Sequence, residues 1–182
     1  ATGIVKDVDA ATQRRFDDGH AAEAAARTIA EKIIGEDMFP VTGSMEVEGL
    51  PLLASFDGLT MGEDIGWENK LWNKVFADYV SANNDAPDTH WPQIEQQLLI
   101  SGAARILFTV SDGTEEKTVH CWYESRPERR ARLIAGWKQF EKDLANYKPV
   151  EVIPAAVAAP IKDLPTLFIQ AKGEVTNTNM PE

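Results

Sequence analysis

The sequence predicts an α/β domain in which a mixed central β-sheet is flanked by helices. Three observations carry the prediction. Apolar residues alternate in short segments that gather in two groups, Phe39 to Leu71 and Arg105 to Tyr123. Helical spacing fills the stretches before, between and after these groups, so the order is helix, meander, two helices, hairpin, helix. With 182 residues, 43% of them hydrophobic and 26% charged, the chain has the size of one domain and can bury a core without disulfide staples.

The first helix is predicted over Asp17 to Ile34. It is rich in alanine, carries Ile29, Ile33 and Ile34 at helical spacing, and is followed by Gly35 as a stop signal. Extended segments follow at Met38 to Val41, Met45 to Val47 and Leu52 to Phe56, the last closed by Asp57-Gly58 as a turn. Ile65 to Leu71 completes the meander. Helices are predicted over Asn73 to Ala82, with Val75, Phe76, Tyr79 and Val80 on one side, and from Asp88 or Trp91 to Ser101, with Pro92 in the first turn and Gly102 at the end. Arg105 to Val110 and Lys117 to Tyr123 read as a hairpin around Asp112-Gly113. A long amphipathic helix runs from Pro127 to Tyr147, with Leu133, Ile134, Trp137, Phe140 and Leu144 as its apolar residues. Residues 148–163 are rich in Pro, Ala and Val and read as a linker, and 164–182 as an extra strand or the start of a further region with frayed final residues.

Composition excludes several classes. The single cysteine, Cys121, rules out an internal disulfide framework and a cysteine-built zinc or iron–sulfur site. No apolar run reaches the roughly 20 residues of a membrane helix, and no secretory leader is visible, so a cytoplasmic protein is expected. Lys plus Arg total 18 and Asp plus Glu 29, a net charge of −11. Taken alone, that balance argues against nucleic acid as a partner, although it does not say where the charges sit.

The chemistry-bearing stretch is Ser55-Phe56-Asp57-Gly58-Leu59, followed by Gly66-Trp67-Glu68-Asn69-Lys70. Glu68 and Lys70 are two apart on a predicted strand, so both side chains share one face. Asp57 ends the preceding strand and lies beside them. Two carboxylates offer hard oxygen ligands to Mg²⁺, with Mn²⁺ as a substitute, and water completes the octahedron. Such a metal polarises a phosphoryl oxygen and lowers the pKa of bound water. A lysine orients or deprotonates that water and offsets charge on the phosphorane. By itself the pattern more often describes a solvated surface hairpin, because these residues are common. The flanking segments are what separate the two readings. Gly19, Glu23, Ala26 and Arg27 open the first helix, with His20, Glu23 and Arg27 on one face. Gln93 and Gln96-Gln97-Leu98-Leu99 lie on a later helix that leads through Gly102-Ala103 into a strand.

Taken in order, these four motifs resemble the YqaJ-like viral recombinase nucleases, the phage lambda exonuclease-like branch of the PD-(D/E)XK superfamily. The resemblance spans Asp17 to Tyr147. It implies a restriction-endonuclease-like PD-(D/E)XK core over 1–147 and a Mg²⁺-dependent deoxyribonuclease, a 5′–3′ exonuclease on double-stranded DNA ends in phage-type recombination. It also implies a single-strand annealing protein as partner, a ring-shaped homo-oligomer such as a trimer, and a phage or prophage origin within a bacterial host. Asp57 and Glu68 would ligate the metal by side chain and Asn69 by its backbone carbonyl. Lys70 would position the attacking water, Glu23 would sit at the edge of the site, and Gln93 would reach in from its helix. Two departures stand out. Phe56 replaces the family's proline. The segment that supplies an Arg and a Ser for the 5′-phosphate in family members precedes the first motif and is not matched, so the chain is expected to be a fragment of a longer protein.

Other functions of the same motifs remain open: a structure-specific, restriction or repair endonuclease of this fold, or a DNA-binding module without catalysis. Arg126, Arg129 and Arg130, with Arg132 beside them, form the densest basic cluster. They read either as contacts to the DNA backbone or as a solvated helix face paired with Glu124 and Glu128. Lys74, one turn beyond Lys70, is a second candidate phosphate contact. The five tryptophans read mainly as core, with Trp72 and Trp91 the best alternatives, and Cys121 as an inert buried thiol.

Overall fold

A computed structural model of the chain describes residues 9–148, 169–171 and 175–178. The first helix, α1 (Ala10–Ile34), begins seven residues before the expected Asp17. Its start is set by Asp9, whose carboxylate accepts from the backbone N–H groups of Ala11 and Thr12. An aspartate in this position satisfies donors that have no partner inside the helix. The helix stops at Gly35, as expected.

Three antiparallel strands follow. β1 (Phe39–Val47) joins the two short segments read from the sequence into one strand, with an irregularity between Phe39 and Val41 that accommodates Pro40. Proline lacks the N–H a ladder needs and is tolerated on an edge strand at a bulge, which is where it sits. The reversal into β2 (Leu50–Leu59) uses Glu48 and Gly49, both at positive φ, the geometry of a two-residue hairpin turn. β2 does not end at Asp57-Gly58, where a turn was expected. It continues to Leu59, and the chain turns over Thr60–Asp64 before β3 (Ile65–Leu71). Gly58 is there for space rather than for turning. A Cβ at this position would stand 2.8 Å from Met38 Cβ and 3.1 Å from Trp67 Cε3.

Two helices come next, α2 (Lys74–Asn83), capped by Asn73, and α3 (Trp91–Ser101), closed by Gly102. β4 (Arg105–Ser111) then pairs parallel with β3 along its whole length, and β5 (Thr118–Glu124) pairs antiparallel with β4. The result is a five-stranded sheet in the order β1-β2-β3-β4-β5, and its mixed character is as the sequence predicts. The alternation of β4 distributes its side chains to two cores. Leu107 joins Trp67, Met38 and the α1 alanines Ala26 and Ala30 on one face. Ile106, Phe108 and Val110 join Ile94 and Leu98 of α3 and Val80 of α2 on the other. Leu133, Ile134 and Trp137 of α4 (Pro127–Asn146) pack against this second core.

The chain divides into two units, Ala1–Leu144 and Ala145–Glu182. The second contains two short antiparallel strands, β6 (Ile169–Ala171) and β7 (Val175–Thr178), where one strand had been expected. The linker expected over 148–163 lies outside the described residues apart from Lys148. Among the described residues no helix is long and apolar enough to cross a membrane.

Candidate active site

β2 and β3 share a ladder only where Gly58 and Leu59 face Trp67 and Gly66. Beyond these pairs the two strands separate, while β3 stays fixed by its full parallel pairing with β4. The gap that opens between them holds the candidate site. Asp57 faces it from β2 and Glu68 and Lys70 from β3. The next N–H of β3 on this side belongs to Asn69, and it donates to Asp57 Oδ2 at 2.7 Å. A side-chain carboxylate thus takes the place of the missing backbone acceptor. The Asn69 side chain points the opposite way, where its Oδ1 accepts from Thr109 Oγ1.

Glu68 is the most enclosed acid of the gap, 2% exposed. A buried carboxylate is tolerated only when donors surround it. Here its Oε1 accepts from Lys70 Nζ at 2.7 Å and from Gln93 Nε2 at 2.7 Å, and its Oε2 accepts from Gln97 Nε2 at 2.6 Å. Lys70 also donates to Gln93 Oε1 at 2.9 Å. An ammonium has three protons. Two of those on Lys70 are committed to Glu68 and Gln93, and the third is left for a group entering the gap. Glu23 approaches from α1, held by Arg27, whose Nη2 reaches Glu23 Oε1 at 3.1 Å and the Asp57 carbonyl at 3.2 Å.

Burial and the neighbouring acids raise the proton affinity of Asp57. Burial, then the charge of Glu68, push its pKa up to about 7; Glu23 adds to the rise, and the Asn69 N–H and Lys70 oppose it. Among the described residues no three His, Cys, Asp or Glu side chains converge tightly enough to form a closed metal cage. Two carboxylates with water and phosphate oxygens are, however, the kind of donor set that suits Mg²⁺. In an extended strand the N–H and C=O of one residue point to the same side, so the Asn69 carbonyl also faces the gap.

The structure brings together Glu23, Asp57, Glu68, Asn69, Lys70 and Gln93. Arg126, Arg129 and Arg130 are each engaged by an acid, although the Arg126 side chain stays 41% exposed. Arg126 pairs with Asp85 at 2.9 Å, and Arg129 pairs with Asp85 at 3.4 Å and bonds the Tyr123 hydroxyl. Arg130 lies 3.4 Å from Glu95, close enough for an ion pair although its Nε is not aligned for a hydrogen bond. The partner of Arg130, Glu95, is a fully buried carboxylate on α3 that also accepts from Tyr123 Oη, Ser125 Oγ and the Arg126 N–H. These arginines serve acids of other elements, and their pairing partners are not Glu124 and Glu128. Lys74 pairs with Asp78 on the surface, where such pairs are weak and exchange easily. Trp91 is core on one side and carries the Arg129 and Arg132 guanidinium groups at 5.4 and 5.1 Å from its ring centre on the other.

Gln97 and His90 stand beside the site with no individual role legible in the sequence, and Arg132 belongs to the basic cluster. Gln97 lies one helical turn after Gln93, so i, i+4 spacing was the available signal. His90 stands at the start of α3, where burial and then Lys70 hold its pKa below the ordinary value, while Glu68 opposes the shift. Arg132 lines a cavity of about 550 Å³ together with Ser55, Gln93, Gln97, Trp91 and Trp137. The cavity opens directly beside the two glutamines that hold Glu68.

No protein-family model matches the sequence, and no curated protein matches it significantly. Solved structures do. LHK-Exo in complex with dAMP superposes with a TM-score of 0.62 and 22% identity, over 80% of this chain and 73% of that one. The alkaline exonuclease LHK-Exo from Laribacter hongkongensis superposes with a TM-score of 0.51 and 20% identity, over 78% of each chain. The fold is that of the alkaline exonuclease. It is also the fold implied by the resemblance to the YqaJ-like nucleases, and the gap between β2 and β3 is the part of it that gathers the acidic residues and the lysine.

Proposed function

We propose that the chain is a divalent-metal-dependent deoxyribonuclease that hydrolyses phosphodiesters at the ends of duplex DNA. The observation that carries this reading is the convergence of Asp57, Glu68 and Lys70, braced by Gln93, in the gap of an alkaline-exonuclease fold. Asp57 and Glu68 would hold Mg²⁺, with Mn²⁺ as a substitute, together with the Asn69 carbonyl. When bound, the ion supplies Lewis-acid polarisation of a phosphoryl oxygen and a more acidic water.

The chain's own residues supply the rest. The uncommitted Lys70 proton points a charge-assisted donor at an oxygen entering the gap, either the attacking water or the scissile phosphate. Gln93, bonded to both Lys70 and Glu68, holds the two in register during that contact. Glu23 and Arg27 form the wall on the α1 side. The cavity beside Gln93 and Gln97 has room for a nucleotide, which agrees with the dAMP held by LHK-Exo. Lys74 remains a backbone-phosphate contact at the rim.

The finer reading is a 5′–3′ exonuclease of phage-type recombination that works with a single-strand annealing protein as a ring-shaped homo-oligomer. It rests on the order of the four motifs and on the fold. The test is digestion of linear duplex DNA, labelled at one end, with and without Mg²⁺. Lys70→Ala and Asp57→Ala are each expected to lower the rate by about 10²- to 10⁴-fold, and covalently closed circles are expected to survive. Equal digestion by wild type and variants, or cleavage of closed circles, would overturn the assignment. Light scattering of the purified protein reports the oligomer.

A further inference from the structure

The geometry points to Gln97 as a positioning residue that sets the separation of the Asp57 and Glu68 carboxylates. This inference rests on the nuclease reading of the site and assigns a function to a side chain outside the acidic cluster. Where the β2–β3 ladder ends, no backbone bond fixes how far the two strands diverge. One link across the gap is the Asp57 carboxylate on the Asn69 N–H. The second is Gln97. Its Nε2 donates to the Ser55 carbonyl at 2.8 Å, two residues before Asp57 on β2, and to Glu68 Oε2 at 2.6 Å on β3. Among the described residues it is the one α3 side chain that hydrogen-bonds both strands. Gln93 reaches only β3, through Glu68 and Lys70, and Gln96 reaches only β2, through the Leu53 carbonyl.

The orientation of the amide is forced. Ser55 O and the Glu68 carboxylate can only accept, so the nitrogen must face them and Oε1 must turn away. Oε1 is then buried with no partner, and Gln97 as a whole is 1% exposed. A leucine would fill the same space without an unsatisfied oxygen. Packing alone therefore does not account for an amide at this position. A two-pronged donor that ties one acid's strand to the other acid does.

The test uses the full chain and reads Mn²⁺ binding by electron paramagnetic resonance without DNA, alongside steady-state cleavage. Gln97→Leu is expected to weaken Mn²⁺ binding about 10- to 100-fold and to lower kcat by a similar factor, with KM for duplex DNA within about threefold of wild type. Gln96→Ala also loses a bond to β2 but touches neither acid, and it is expected to change Mn²⁺ affinity by less than about threefold. If Gln97→Leu shows no cooperative melting, Gln97→Asn keeps the amide one methylene shorter and is expected to show the same weakening. Mn²⁺ binding unchanged in the Gln97 variants but lost in Asp57→Asn would overturn the positioning role and leave the nuclease reading standing. Wild type that takes up no Mn²⁺ and cleaves nothing would overturn both.

Discussion

Replacing Asp57 by asparagine is expected to make the metal-free protein more stable at alkaline pH while abolishing cleavage. The wild-type carboxyl has its folded-state pKa raised from 3.8 to about 7, chiefly by burial and then by the facing Glu68. A group raised in this way binds its proton more tightly in the folded state. Its contribution is fully present below the unfolded pKa and is lost as pH rises through the folded one. A shift of roughly three units, at about 1.4 kcal/mol each, sets a ceiling of about 4 kcal/mol lost above pH 7. An asparagine keeps an oxygen for the Asn69 N–H and carries no titrating charge, so the difference between variant and wild type isolates this group. Between about pH 5.5 and about pH 8.5 the stability gap in favour of the variant should widen by about 2 kcal/mol. For a domain of this size that is a melting shift of about 5 °C. Thermal melts in chelator across this range provide the measurement. A gap that stays constant with pH would refute the argument that burial and the facing Glu68 raise this carboxyl's proton affinity. Added Mg²⁺ is expected to raise the melting temperature of wild type at the alkaline end and to leave that of the variant unchanged.

Three further outcomes are expected. Glu95→Ala removes a fully buried acceptor from Tyr123, Ser125 and the Arg126 N–H and leaves Arg130 without its partner, so urea unfolding should show a loss of about 3–5 kcal/mol. Gly58→Ala drives a methyl group against Met38 Cβ, which belongs to a strand-proximal segment that cannot swing away, and should cost about 1–3 kcal/mol in the same experiment. Cys121 is 1% exposed and burial pushes its thiol up to about 12, so thiol reagents at mildly alkaline pH should label it only after unfolding. Rapid labelling of the native protein would contradict the packing of β5.

Much of the fold was legible because its signals are local. Gly35 and Gly102 end helices, Asn73 caps one, and alternation in β4 divides its side chains between two faces. The same locality exposed the pairing of Glu68 with Lys70, since residues two apart on a strand share a face. Local signals also misled. Asp57-Gly58 has the composition of a turn, but the glycine answers the approach of Met38 and Trp67, which no neighbouring residue announces. Arg126 and the arginines of α4 read as a basic face because the acids that take them up, Asp85 and Glu95, lie in other segments.

The sequence by itself determined the order of the elements, the mixed character of the sheet and the identity of the two acids and the lysine, because helix and strand periods and short motifs are written in consecutive residues. Only the tertiary structure decided how those groups are used. The strands carrying Asp57 and Glu68 part where their ladder ends, Gln97 crosses from α3 to meet a carboxylate 29 residues away, and Glu95 takes up Arg130 of α4 while Asp85 takes up Arg126 and Arg129. Such contacts depend on where distant segments are packed, and a hydrogen bond between them leaves no period in the chain that makes it.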